Sequence, residues 1–141
     1  MPLTIFDAFP RPPCADLLGW RLIDHDAARG WIRIGFEALP GFCNPAGFIQ
    51  GGILAAMLDD TMGPAALVMT EGRGFTSTID MNVSFLAPAR PGPLFGEGTV
   101  IQLGKTVAFL QAELRDEAGV LLARATSSAR MVSTDGLARR A

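Results

Sequence analysis

The sequence predicts an α+β fold in which an antiparallel β-sheet wraps around one long central helix, within a single domain covering residues 1–141. Three observations predict it. Only one segment, between Asn44 and Met69, is long and apolar enough to read as a helix of several turns. Six other segments alternate apolar and polar residues with the period of two that marks half-buried strands. Most of these are separated by short turns, which join antiparallel neighbours.

Taken in order, residues 1–15 hold Pro2, Pro10, Pro12 and Pro13 and read as an irregular lead-in with room for one short helical turn. A first strand is predicted over Leu18–Asp24, with Leu18, Trp20 and Leu22 on one side. A turn at Asp26–Gly30 returns the chain as Trp31–Glu37, where Ile32, Ile34 and Phe36 alternate with Arg33, Gly35 and Glu37. The turn-rich stretch Leu39–Gly47 then delivers the helix, whose start is expected near Gln50. Beyond it, Thr78–Leu86 places Ile79, Met81, Val83 and Phe85 inward and Asp80, Asn82 and Ser84 outward. Pro88–Pro93 breaks that pattern, and Phe95–Leu103, Thr106–Arg115 and Val120–Val132 follow, separated by Gly104-Lys105 and Asp116–Gly119. Ala108, Leu110, Ala112 and Leu114 share one face; Ala123, Ala125, Ser127 and Ala129 share another. Residues 133–141 read as a frayed end. The order is β-β-α-β-β-β-β.

Composition bounds the function. With 49% hydrophobic and only 18% charged residues, the chain can bury a substantial core, and so little charge suggests that a second subunit covers some apolar surface. A net charge of −2 without any basic run offers no footprint for nucleic acid. The N-terminus lacks the basic start and apolar run of a signal peptide, and the most apolar stretch is interrupted by Asp59, Asp60 and Pro64, so neither export nor membrane insertion is expected. Cys14 and Cys43 are too few for a disulfide scaffold, and no metal-ligand spacing occurs. A cytoplasmic protein without metal or cofactor is the expectation.

The helix carries the chemistry. Ile53, Leu54, Ala55, Ala56, Met57, Leu58 and Met62 surround its axis, so it is enclosed on all sides, and a one-sided sheet leaves a face for a second copy to close. Asp59 and Asp60 nevertheless sit within it, about 100° apart. A carboxylate in apolar surroundings is costly unless a partner or a task compensates it. The segment opens with Gly51-Gly52, and two glycines in a helix cost about 1 kcal/mol each. Tight packing against a strand is one motive. The other is backbone N–H groups left open to a substrate oxygen.

Asn44, Gln50-Gly51-Gly52 and Asp59, followed by Thr78–Pro88 and Gly104-Lys105-Thr106, resemble the hotdog-fold acyl-CoA thioesterases of the phenylacetate-pathway, PaaI-like type. The likeness runs from about Pro13 to Val132. It implies a homodimer or dimer of dimers that hydrolyses an acyl-CoA without metal or prosthetic group. By this resemblance Asp59, eight positions past Gly51, is the catalytic acid, acting as general base or as nucleophile. Gly51, with Gly52 beside it, offers the N–H that polarises the thioester carbonyl, and Asn44 contacts the thioester or the attacking water. Thr78, or by a shift of one Ser77, is the hydroxyl that positions water. Asp59 is expected to face Gly51 and Asn44 of the partner subunit. The position before the glycine pair, commonly His in this family, is Gln50, which can donate a hydrogen bond but cannot carry a proton.

Simpler roles stand beside these. Asn44-Pro45 also fits a helix N-cap with Pro at the first position, although Gly47 and the glycine pair argue for a later start. Asp60 faces away from Asp59 and reads as structural. Arg90 and Lys105, in loops, can meet coenzyme A phosphates or simply be solvated. His25 reads as a surface residue, and Met57 and Met62 as core. A hydratase would need a histidine at the site, and a serine hydrolase a Gly-x-Ser-x-Gly elbow that the chain lacks. The alternative is a non-catalytic acyl-CoA binding or sensor protein.

Overall fold

A computed structural model describes residues 4–135 and 137. Its elements are α1 (Pro13–Leu18), β1 (Arg21–Asp26), β2 (Trp31–Ala38), α2 (Gly51–Met69), β3 (Gly74–Phe85), β4 (Gly92–Leu103), β5 (Val107–Asp116) and β6 (Leu121–Ser133), with short 3-10 turns at Ile5–Ala8 and Pro40–Phe42. The strands form one antiparallel sheet in the order β1-β2-β4-β5-β6-β3. Although α2 is long and apolar enough by composition to cross a bilayer, it lies on this sheet and touches all six strands. Ile32, Ile34 and Phe36 from β2, Met57, Leu58 and Met62 from α2, and Leu110 and Leu114 from β5 are fully buried between the two layers. The faces predicted for the last two strands are observed, with Ala108, Ala112, Ala123, Ala125, Ser127 and Ala129 buried.

Close approach of sheet to helix is built into glycines. A Cβ on Gly96 or Gly98 would collide with Thr61, and one on Gly63 would press on Thr76 Oγ1. β4 and β3 therefore come in against α2 within about one turn of Asp59.

Four expectations are corrected. The first strand starts at Arg21, because Pro13 opens a helix at its first position and Gly19, at φ +66°, ends it. The lead-in is ordered: Thr4 and Asp7 form a capping box, and Ile5 and Phe6 pack onto the core. In β3 the alternation breaks at a bulge between Thr78 and Asp80. Ile79 is the extra residue and is 60% exposed instead of inward. The bulge lets Thr78 and Met81 both face α2, which unbroken alternation forbids. Finally, β6 continues through Ser133, and Thr134 Oγ1 donates to the Gly72 carbonyl at 2.7 Å, so fraying does not begin at Ser133. The rest of that expected end, residues 136 and 138–141, lies outside the described residues.

Candidate active site

The helix tip comes first. Gln50 is the N-cap of α2 but makes no side-chain cap, and its own N–H is bonded to the Phe42 carbonyl at 2.9 Å. Its carbonyl accepts from Ile53 and Leu54. The N–H groups of Gly51 and Gly52 have no partner among the described residues, as the first turn of a helix leaves them. Around Gly52 a Cβ would meet nothing within 4 Å, whereas at Gly51 it would lie 3.2 Å from the Phe85 ring. Packing within one chain thus explains Gly51 in part and Gly52 not at all.

Asn44 shapes the loop that leads to this tip. Its Oδ1 accepts from the N–H groups of Ala46 (3.0 Å) and Phe48 (3.2 Å), and its own N–H donates to the Phe48 carbonyl. It lies outside α2 and does not cap it. Within its own loop the Oδ1 acceptor is occupied, and the Nδ2 donors have no partner among the described residues. Arg90 adjoins the same loop, with its guanidinium 5.1 Å from the Phe48 ring centre and the neighbouring Ala89 carbonyl bonded to the Ile49 N–H. Lys105 sits in the turn between β4 and β5, at the other end of β4, and is not brought to this tip within one chain.

Two turns further along α2, Asp59 is half-buried and its Oδ1 accepts from Thr78 Oγ1 at 2.8 Å. Of the two hydroxyls weighed from sequence, Thr78 is the one that reaches the acid; Ser77 points to the opposite face of β3. Asp60 differs from its neighbour. Its Oδ2 is buried with no partner among the described residues. Burial, reinforced by the Asp59 charge and partly offset by the Arg11 guanidinium, pushes its carboxyl up from 3.8 to about 6. Its backbone carbonyl accepts from Trp20 Nε1 at 3.0 Å. Trp20 reads from sequence only as an inward strand residue; the signal that could single it out is Pro64, which leaves a helix carbonyl in need of an outside donor. His25 is exposed on β1.

Geometry separates two parts of the site. Gly51 and Asp59 are eight residues apart on one helix, about 12 Å at 1.5 Å per residue. A base and an oxyanion donor that serve one bond must each lie about 3 Å from the reacting atoms, a span that these two positions of one chain exceed. The strip of α2 holding Gly52, Ala55, Ala56 and Asp59 is exposed or half-exposed, and it runs beside β3, whose outer edge has no strand partner among the described residues.

The family model described as Thioesterase superfamily matches residues 46–123. The human protein acyl-coenzyme A thioesterase 13 is 32% identical over 100 residues, which cover 70% of this chain and 71% of that protein. Among solved structures, a phenylacetic acid degradation-related protein from Ralstonia eutropha superposes with a TM-score of 0.81 at 35% identity, covering 86% of this chain and 91% of the other. The PaaI protein of the E. coli phenylacetic acid degradation operon shares the fold, with a TM-score of 0.75 at 18% identity over 87% and 86% of the two chains.

Proposed function

Since this chain belongs to the thioesterase superfamily and is a thioester hydrolase, we propose that it cleaves an aryl- or medium-chain acyl-CoA to the free acid and coenzyme A, with Asp59 as general base or nucleophile. The observation that carries this reading is the setting of Asp59: a half-buried carboxylate on an apolar helix, oriented by Thr78 Oγ1 through one oxygen and without a partner at the other among the described residues. As base, Oδ2 takes a proton from water while the water oxygen attacks the carbonyl carbon; the C–S bond then breaks and the thiolate leaves. As nucleophile, the same oxygen attacks the carbonyl carbon, the C–S bond breaks with the thiolate leaving, and water then opens the mixed anhydride to the free acid and the Asp59 carboxylate.

The oxyanion belongs at the tip of the partner subunit's helix. Free N–H groups with a partial positive charge stabilise developing negative charge there. The separation of about 12 Å within one chain, the uncovered strip of α2 and the free edge of β3 all support a homodimer in which Asp59 of one subunit faces Gly51 and Asn44 of the other. A dimer of dimers is compatible with the same site. Arg90, beside the tip, and Lys105 are assigned as phosphate contacts, Gln50 as a neutral donor at the rim, and Gly52 as the opening through which the carbonyl approaches. No metal or prosthetic group enters this scheme.

The test is thiol release from benzoyl-, phenylacetyl- and medium-chain acyl-CoA, followed with a thiol-reactive dye. Release that depends on Asp59 supports the proposal. Tight binding of these compounds without release would overturn it in favour of an acyl-CoA sensor.

A further inference from the structure

In an uninterrupted helix the N–H four residues after Asp60 would bond the Asp60 carbonyl. Here that position is Pro64, inside α2, which has no N–H and whose ring crowds that carbonyl. The neighbouring residues add little cohesion of their own. Thr61 Oγ1 donates back to the Met57 carbonyl at 2.7 Å, a bond that bends helices, and position 63 is glycine. The weak turn lies immediately behind Asp59.

An outside donor fills the gap: Trp20 Nε1 reaches the Asp60 carbonyl at 3.0 Å. Trp20 is itself held from three directions. Its N–H donates to the Ala15 carbonyl at 2.8 Å across the Gly19 turn, its carbonyl accepts from Arg11 Nη2 at 2.6 Å, and the Phe6 ring meets its indole edge-on at 5.2 Å. The lead-in and α1 thus form a brace that ends in one N–H aimed at the break in α2.

We propose that Trp20 is a positioning residue for Asp59: its indole N–H replaces the backbone donor that Pro64 removes, and so fixes the turn of α2 from which the acid meets Thr78. This rests on the reading of Asp59 as the reacting acid. A displacement of about 1 Å at such a site is enough to cost a large factor in rate, and an unserved buried carbonyl gives the turn reason to move.

The experiment compares Trp20→Phe, Pro64→Ala and the double variant, measuring kcat, KM and Tm on the purified oligomer. Trp20→Phe keeps an aromatic ring and loses the donor, and kcat is expected to fall about tenfold with KM unchanged. Pro64→Ala alone keeps kcat. In the double variant the backbone N–H that Pro64→Ala restores serves the Asp60 carbonyl, and kcat returns to the level of Pro64→Ala. Two results would overturn the proposal: a Trp20→Phe protein with lower Tm but unchanged kcat, or a double variant no faster than Trp20→Phe. Should Trp20→Phe fail to fold, the double variant decides alone, since recovery of both fold and kcat supports the brace and recovery of fold without kcat refutes it. Asp59→Asn, run alongside, separates the two claims. Its loss of turnover beside a fully active Trp20→Phe sinks the brace only, whereas its retention of turnover sinks the reading of Asp59.

Discussion

Thr78 Oγ1 donates to Asp59 Oδ1 at 2.8 Å, across the gap between β3 and α2. Thr78 shares the face of β3 that Thr76 presents to α2, and its bond commits one carboxylate oxygen while the other has no partner among the described residues. Asp59→Asn should abolish turnover, by a factor of about 10³ or more, with circular dichroism and oligomeric state unchanged. Thr78→Val keeps the shape and loses the donor, so a fall in kcat of about tenfold with little change in KM is expected. Steady-state kinetics on both variants checks this, and a near-normal kcat for Asp59→Asn would falsify the assignment.

Asp60 makes a prediction of opposite sign for stability. Its carboxyl is raised from 3.8 to about 6, chiefly by burial and then by Asp59. The folded state therefore holds the proton more tightly than the unfolded chain. The associated stability is complete below about pH 4 and is lost as the pH rises through about 6. Asp60→Asn, neutral at every pH, should match the parent near pH 4 and exceed it near pH 7.5 by about 1–2 kcal/mol, a figure discounted for partial exposure. Most turnover should survive, because the side chain faces away from Thr78. Denaturant melts at the two pH values decide it; equal stabilities at both would refute the buried, proton-retaining state.

Gly52 sets stability against activity. Its missing Cβ would meet nothing within 4 Å in this chain, and the residue stands in the first turn of α2. Gly52→Ala should stabilise the fold by up to about 1 kcal/mol through helix propensity. It should also lower kcat/KM, because a methyl group then stands where the thioester carbonyl approaches the N–H groups. Thermal melts and thiol-release kinetics test both halves, and a variant with raised Tm and full activity would show that the open position does not serve the substrate.

What the sequence made legible was whatever repeats along one element. Ala108, Leu110, Ala112 and Leu114 alternate without interruption, and their shared face is buried as read. The order of strands along the chain followed from apolar periodicity and turn residues, and the Gln50 start followed from the glycines after it. Single-residue departures from regularity stayed hidden. The Ile79 bulge puts the later residues of β3 out of step with those before it, and nothing local announces it. Leu18 alternated well enough with Trp20 to pass as strand, although Pro13 and Gly19 bracket a helix. The bond from Trp20 to Asp60 spans 40 positions and arises only because Pro64 leaves a carbonyl unserved, a tertiary event invisible to periodicity.

Division of the site between subunits yields a prediction by complementation. If Asp59 of one subunit works with the helix tip of the other, Asp59→Asn and Gly51→Val are each inactive as homodimers, and for different reasons. Subunits mixed and allowed to exchange form heterodimers with two unlike sites: one pairs the altered acid with the altered tip, the other pairs two intact halves. Random exchange places about half of the dimers in this class, so about a quarter of the parental specific activity should return. Activity that stays at zero after exchange, verified by mass spectrometry of intact dimers, would mean that acid and tip serve the same bond from one chain. Their separation of about 12 Å along α2 speaks against that, since a base and an oxyanion donor must each lie about 3 Å from the reacting atoms.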